Sequence, residues 1–403
     1  MVILSLRFLA EVPILYYLLG IMLCAIFVNT GFYLHFESRP INNPVEDTSE
    51  ALDPDEDTSK ALSQGADASK SLIVSDDPSK LPDAPVSVNY FPSRECNYAC
   101  GFCFHTATTS YVLPIAEAMR GLRLLKEAGM RKLNIAGGEP FLHPKLLTQL
   151  LRYCKEELGV ESTSIVSNGS KIREKWMRDN CQWLDILAIS CDSFNPETNI
   201  NIGRGDDGKN TDRLFRIAEW CRTYGVKFKL NTVVNVYNWN EDMVDNIEKL
   251  APFRWKVFQC LIVAGENDDE TRKRDARKFL VSDAQWRTFC EWHKHLPCFV
   301  PEDNNCMASS YLHLDEYMCF LDKGEGMITQ SQSILEVGVK AAMQEIVWDK
   351  KSFLERGGIY DWGRSDMKNV QQSACGSVNK SGSVQNMGKK GACDGVNRKD
   401  IDF

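Results

Sequence analysis

Along this chain, stretches in which polar and apolar residues alternate give way repeatedly to stretches whose apolar residues recur every three or four positions. The first pattern predicts strands at Ser87–Phe91, Lys132–Ala136, Thr163–Ser167, Ile186–Cys191, Lys227–Val236 and Trp255–Ile262. The second predicts helices at Leu113–Ala128, Pro144–Leu158, Lys171–Asn180, Thr211–Tyr224 and Glu241–Leu250. Strands and helices taking turns in this way argue for a parallel sheet with crossover helices. Six units make an α/β fold, a partial (β/α)6 TIM-like barrel, whose site lines the C-terminal ends of its strands. Beyond the sixth strand the chain reads as an irregular C-terminal extension.

That pattern is confined to residues 85–366. Residues 1–36 are apolar, with about 17 uncharged positions from Val12 to Val28, just inside the lower limit for a membrane span. A short span, an interfacial helix and a cleaved signal peptide compete there. Only Arg7 marks a positive n-region and no small-residue cleavage site comes after it, so a membrane anchor is the expectation. Residues 37–84 carry a ten-residue repeat, Asp47-Thr48-Ser49, Asp57-Thr58-Ser59, Asp67-Ala68-Ser69 and Asp77-Pro78-Ser79. One leucine per repeat (Leu52, Leu62, Leu72) cannot build a core, so a disordered acidic linker is expected. Residues 367–403 turn Gly/Ser/Lys-rich and read as a flexible tail.

Composition changes this picture little. The 403 residues are 43% hydrophobic, enough for a sizeable core, and much of the net charge of −8 comes from the acid of the linker. No basic block suggests direct nucleic-acid binding. Fifteen cysteines, odd in number and without a framework, argue for a reducing compartment.

Three of those cysteines carry the chemistry. Cys96, Cys100 and Cys103 lie in CNYACGFCF, directly after the first strand. A short loop can aim three thiolates at a [4Fe-4S] cube and leave one iron open for another ligand. A zinc knuckle would want a fourth ligand, and only His105 is near, too close for an ordinary finger. The spacing C-x3-C-x2-C resembles the radical S-adenosylmethionine (SAM) enzymes, in which methionine's amino and carboxylate groups fill the open position. Gly137-Gly138-Glu139-Pro140 comes directly after the second strand. In isolation it could be an ordinary turn, but in those enzymes this motif holds the methionine amine. Ser167-Asn168 and Ser190 end the third and fourth strands, where the family pattern faces methionine and ribose. Arg204 reads either as a fork for the methionine carboxylate or as a surface charge. Lys229, Arg254 and Lys256 put charge into apolar strands, which is costly without an anion. A phosphate-rich substrate would supply one, and so would local carboxylates such as Glu241 or Glu248.

The resemblance narrows further. Ser87-Val88-Asn89-Tyr90, the run from Cys96 to Thr106, Lys126-Glu127-Ala128-Gly129-Met130, Asp185 to Phe194, Arg254 to Cys260, Leu314 to Met318 and Arg356-Gly357-Gly358 are similar to the viperin family. It implies conversion of a nucleoside triphosphate, typically CTP, to its 3′-deoxy-3′,4′-didehydro analogue, an antiviral chain terminator. A 5′-deoxyadenosyl radical would take the 4′ hydrogen, and the 3′ hydroxyl would leave as water with one electron and a proton. It also implies Phe102 and Phe104 beside the cofactor, Lys229, Arg254, Lys256 and Arg356 on the triphosphate, and Asn89 on the sugar. Tyr317 reads as a late electron or hydrogen donor, or as a packed tyrosine. The family sits on the cytosolic face of the endoplasmic reticulum and on lipid droplets, and uses an external electron donor. The terminal Ile401-Asp402-Phe403 looks like the tripeptide that recruits the cytosolic iron–sulfur targeting machinery. Two rival readings are a peptide- or protein-modifying radical enzyme and a tethered scaffold with a vestigial radical core. Cys290, Cys298, Cys306 and Cys319 lack the close pairs that additional clusters of the first rival would need.

Overall fold

A computed structural model describes residues 84–205, 207, 210–304, 307, 309–322 and 330–364. The expected anchor, linker and tail, with the terminal tripeptide, lie outside the described residues. Among the described residues no helix is long and apolar enough to cross a membrane.

Ten strands form one sheet: β1 Ser87–Tyr90, β2 Lys132–Ile135, β3 Ser162–Ser167, β4 Ile186–Ser190, β5 Lys227–Val234, β6 Arg254–Gln259, β7 Phe299–Glu302, β8 Leu312–Leu314, β9 Cys319–Leu321 and β10 Gln330–Ser333. Their order is β10-β9-β8-β1-β2-β3-β4-β5-β6-β7. Neighbours from β1 to β7 are parallel, as are β1 and β8, whereas β8–β9 and β9–β10 are antiparallel. With β7 and β10 at its edges the sheet stays open, an incomplete barrel. All six strands expected from alternation are present. The extension expected to be irregular adds β7 to β10, which are three or four residues long. Strands that short hold too few positions for a period of two to be seen.

The crossovers are α1 Ile115–Glu127, α2 Pro144–Arg152, α3 Glu174–Asn180, α4 Pro196–Ile202, α5 Asn210–Tyr224, α6 Val244–Leu250 and α7 Asp283–His293. The expected helix Pro144–Leu158 continues past Arg152 as a π-helical turn, Tyr153–Glu157. Two of these helices escaped the periodicity, as did three short helices near the C-terminus, Ile334–Val337, Val339–Gln344 and Lys350–Glu355. In α4 Asn195 accepts from the amides of Glu197 and Thr198 and Pro196 opens the first turn. A reciprocal capping box between Ser282 and Gln285 starts α7.

The main core fills the space between helices and sheet. Leu122, Leu125, Met130, Leu133, Ile135, Leu147, Leu150 and Leu151 are all buried there. Inside the barrel the pleat has the opposite effect. In β5 the fully buried positions alternate with Lys229, Asn231 and Val233, which are only partly buried because they face an internal cavity.

Candidate active site

The cavity has a volume of about 360 Å³ and runs between the two ends of the barrel. At the C-terminal ends of the strands it is lined by Cys96, Cys100, Phe102, Cys103, Phe104, Gly137, Gly138, Ser167, Asn168, Ser190, Asp192 and Arg204. At the other end lie Lys132, Lys229, Lys256, Tyr311, Phe353, Arg356 and Tyr360, with Asn89, Asn134 and Asn231 between.

The three-cysteine loop is seated by backbone. Ala99 and Gly101 amides donate to the carbonyls of Gly203 (3.0 Å) and Ile202 (2.9 Å) at the end of α4. From the other side, the Gly138 and Glu139 amides donate to the carbonyls of Ser93 (2.9 Å) and Glu95 (2.7 Å). The approach leaves no room for a side chain: a Cβ on Gly138 would lie 1.9 Å from the Glu95 carbonyl oxygen. Gly137 has φ +113°, a backbone that other residues rarely adopt. All three thiols are free. Loss of solvent around the loop raises each thiol's pKa, that of Cys100 to about 12, with Cys96 the exposed one of the three. Among the described residues no three His, Cys, Asp or Glu side chains are grouped as a single metal ion would need. A four-iron cube presents separate irons to separate thiols, so three soft donors around one cavity suit it better than they suit one ion.

Glu139 does not line the cavity. Its buried carboxylate accepts from the Phe141 amide (3.0 Å), the Ser167 hydroxyl (2.8 Å) and the Asn168 amide (2.7 Å), so it clamps the end of β3 to the glycine turn. Burial raises its pKa. Arg204 is not a surface charge. It is buried against Asp192, which also accepts from the Val233 amide at 2.9 Å. The pair sits beside Cys100, with the guanidinium facing the Phe102 ring.

The far end gathers positive charge. Lys132, Lys229, Arg254, Lys256 and Arg356 crowd together, and the carboxylate of Glu302 faces Lys229, Lys256 and Arg356 among them. Glu302 accepts from Lys256 and Tyr311 and lies 3.8 Å from Arg356. Burial would raise its pKa, but the charges of Lys256 and Arg356 hold it low. The local carboxylate suggested for these lysines, Glu241, is engaged elsewhere, accepting from Ser193 and the Phe194 amide. Lys229 has no hydrogen-bond or ion-pair partner among the described residues. Burial pulls its pKa down to about 7, against the attraction of Glu302 and with help from the charges of Arg254 and Arg356. Lys132 donates to the Tyr360 hydroxyl at 2.7 Å, and burial plus its four cationic neighbours hold its pKa well below the lysine range. Arg254 does not line the cavity; it stacks its guanidinium 4.5 Å from the Tyr360 ring and donates to the Gly357 carbonyl.

Tyr317 lies elsewhere. It is 43% exposed and its ring stacks on Tyr111 at 4.7 Å, outside the cavity. Three other tyrosines line the cavity, Tyr98, Tyr311 and Tyr360, and of these Tyr311 contacts Lys256 (2.8 Å) and Glu302 and carries Arg356 3.6 Å above its ring. Tyr311 and Lys132 were both missed in the sequence. The available signals were the alternation of Tyr311 with His313 and of Lys132 with Asn134.

This arrangement, three thiols at the C-terminal mouth of an open parallel barrel beside a glycine turn, has counterparts among known proteins. Residues 90–274 match the model of the radical SAM superfamily. The fold superposes on Streptococcus suis SuiB bound to S-adenosylmethionine with a TM-score of 0.50, at 18% identity over 67% of each chain. The chain is 55% identical to the S-adenosylmethionine-dependent nucleotide dehydratase RSAD2 of Oncorhynchus mykiss, over 72% of its own length and 84% of that protein. With the protein of the same name from Danio rerio it shares 57%, over 70% and 80%. The class is that of radical SAM enzymes, which work with an iron–sulfur cluster and S-adenosylmethionine. Within it, the chain belongs to the viperin family of S-adenosylmethionine-dependent nucleotide dehydratases.

Proposed function

We propose that the substrate is a nucleoside triphosphate, CTP or UTP, and the product its 3′-deoxy-3′,4′-didehydro analogue, made in an antiviral role. The observation that carries this is the set of cations at the far end of the cavity, several of them buried, facing a single carboxylate. Buried amines in such excess hold their full charge only when an anion of high charge joins them, and a triphosphate is one.

Cys96, Cys100 and Cys103 would hold the cluster, with Phe102, Phe104, Gly137, Gly138, Ser167, Asn168, Ser190 and Arg204 around S-adenosylmethionine. When bound, cluster and S-adenosylmethionine supply the 5′-deoxyadenosyl radical that removes the 4′ hydrogen. The protein's part is orientation. Lys132, Lys229, Lys256 and Arg356 hold the triphosphate at one end of the cavity, so the ribose lies between them and the thiols, beside Asn89. Departure of the 3′ hydroxyl as water then takes one electron and one proton. Tyr311, a buried phenol kept protonated by burial and by Glu302, is the donor placed for that step. An external reductant restores what the cycle consumes. The apolar segment Val12–Val28 would hold the enzyme on the cytosolic face of the endoplasmic reticulum or on lipid droplets, and Ile401-Asp402-Phe403 would engage the iron–sulfur targeting machinery.

The test mixes reconstituted protein with S-adenosylmethionine, a reductant and each of the four triphosphates. Formation of 5′-deoxyadenosine together with a nucleotide lighter by one water is the expected result. Formation of 5′-deoxyadenosine without any dehydrated nucleotide refutes the substrate assignment.

A further inference from the structure

We infer that Arg94 is a positioning residue for the iron–sulfur cluster, closing the three-cysteine loop on itself and locking it to two other elements of the barrel. The inference rests on the proposed assignment of Cys96, Cys100 and Cys103 as cluster ligands. Arg94 precedes Cys96 by two residues and is buried. Its Nε donates to Glu316 at 3.1 Å, in the turn after β8. Its Nη1 and Nη2 donate side by side to the two oxygens of Glu266, at 3.1 and 3.0 Å, in the loop after β6. Nη1 also reaches the carbonyl of Thr106 at 3.4 Å, just past the last cysteine of the loop. The side chains are 11% exposed for Arg94, 13% for Glu266 and 1% for Glu316, so water competes little for these bonds.

The geometry explains why arginine stands here. The middle of the loop is held by backbone contacts to Gly203 and Ile202 and by the Asn267 side chain, which donates to the Phe102 carbonyl at 2.8 Å. The entry is also held by the Gly138 and Glu139 amides on the carbonyls of Ser93 and Glu95, which leaves the exit near Thr106 to be fixed relative to it. One planar guanidinium spans the entry at residue 94, the exit at Thr106 and two carboxylates from separate elements. An ammonium is a point charge and cannot fork to both carboxylates at once. Fixing both ends limits how far the three thiols can splay, and a cube accepts only thiols held at its corners.

The variant that isolates this role is Arg94→Lys, which keeps the charge and removes the fork. In the cluster-free protein, alkylation of the partly covered Cys100 and Cys103, monitored by mass spectrometry, is expected to quicken about 5- to 30-fold as local opening becomes easier, while the already exposed Cys96 changes less. After reconstitution, iron per chain should fall and the electron paramagnetic resonance signal of the reduced cluster should change. Triphosphate affinity, set at the far end of the cavity, should stay as in the unmodified protein, which a merely unfolded variant would not manage. If R94K does not fold, E266Q, which removes the charge from one arm while leaving Arg94 in place, should show the same changes in smaller degree. Thiol reactivity and cluster signal unchanged in the folded variant would overturn the inference. If the unmodified protein itself takes up no cluster, it is the ligand assignment that fails instead.

Discussion

Replacing Lys229 by methionine separates substrate binding from structural ion pairing more cleanly than any other change in the cavity. Lys256 is tied to Glu302 and Tyr311, so its loss would strand a buried carboxylate and confuse the result. Lys229 has no such partner among the described residues, and burial, with the charges of Arg254 and Arg356, outweighs the attraction of Glu302 for its charge. K229M should therefore leave the melting temperature of the substrate-free protein unchanged or higher. A charge-assisted hydrogen bond to a triphosphate contributes about 1.5–3 kcal/mol. At about 1.4 kcal/mol per factor of ten, K229M should weaken triphosphate binding about 10- to 150-fold, read by isothermal titration calorimetry with S-adenosylmethionine present. The pKa adds a second readout. Without substrate Lys229 titrates at about 7, and a bound triphosphate raises it, so above pH 7 binding takes up a proton. Affinity should fall as pH rises from about 7 toward the bound pKa, at most about tenfold per pH unit for this lysine, and K229M should lose that part of the slope. Unchanged affinity together with an unchanged pH profile would refute the placement of the triphosphate on Lys229.

Replacing any one of Cys96, Cys100 or Cys103 by alanine should abolish the visible absorbance of the cluster and all cleavage of S-adenosylmethionine; normal iron content in a single mutant would remove that residue from the ligand set. Tyr311→Phe should keep 5′-deoxyadenosine formation but lose most of the dehydrated product, whereas Tyr317→Phe should behave as the unmodified enzyme, and a chromatographic ratio of the two products decides between them. Because the folded pKa of Lys229 is depressed, the substrate-free protein binds fewer protons than its unfolded chain between about pH 7 and 10, so its unfolding free energy should rise with pH across that window by up to about 1.4 kcal/mol per unit from this group, measurable by urea titration. Deleting residues 1–80 should release the enzyme from the membrane fraction with its turnover per cluster intact. The cut stops short of Ala84 because Ala84 and Val86 pack on Trp362, and a deletion through them should lower the melting temperature.

Strand and helix positions from Ser87 to Gln259 could be read locally, because burial on a pleated or helical surface imposes a period of two or 3.6 on neighbouring residues. The cysteine loop and Gly137-Gly138 were equally legible as motifs, since donors meant for one cluster would lie close together in a short loop. At the far end of the cavity Lys229, Lys256 and Arg356 were named from charge in apolar strands and from the resemblance, but their convergence with Lys132 and Tyr311 was not legible. Lys132, Lys229, Lys256, Tyr311 and Arg356 come from four strands or their flanks and from the end of a late helix, and only the register of the sheet brings them to one place. That Tyr311 lines the cavity and Tyr317 does not depends on the direction in which the chain enters and leaves the short strand β8, which no periodicity over three residues can reveal. The partners of Arg204 and Lys256 were hidden for the same reason. Asp192 and Glu302 are ordinary acids in the chain and become decisive only when burial removes the water that would otherwise screen them. Arg94 likewise reads as a loop charge until folding sets Glu266 and Glu316, 172 and 222 residues away, around its guanidinium. Local patterning names the elements and the cofactor loop, whereas charge pairing across the barrel depends on distances that exist only after the sheet has formed.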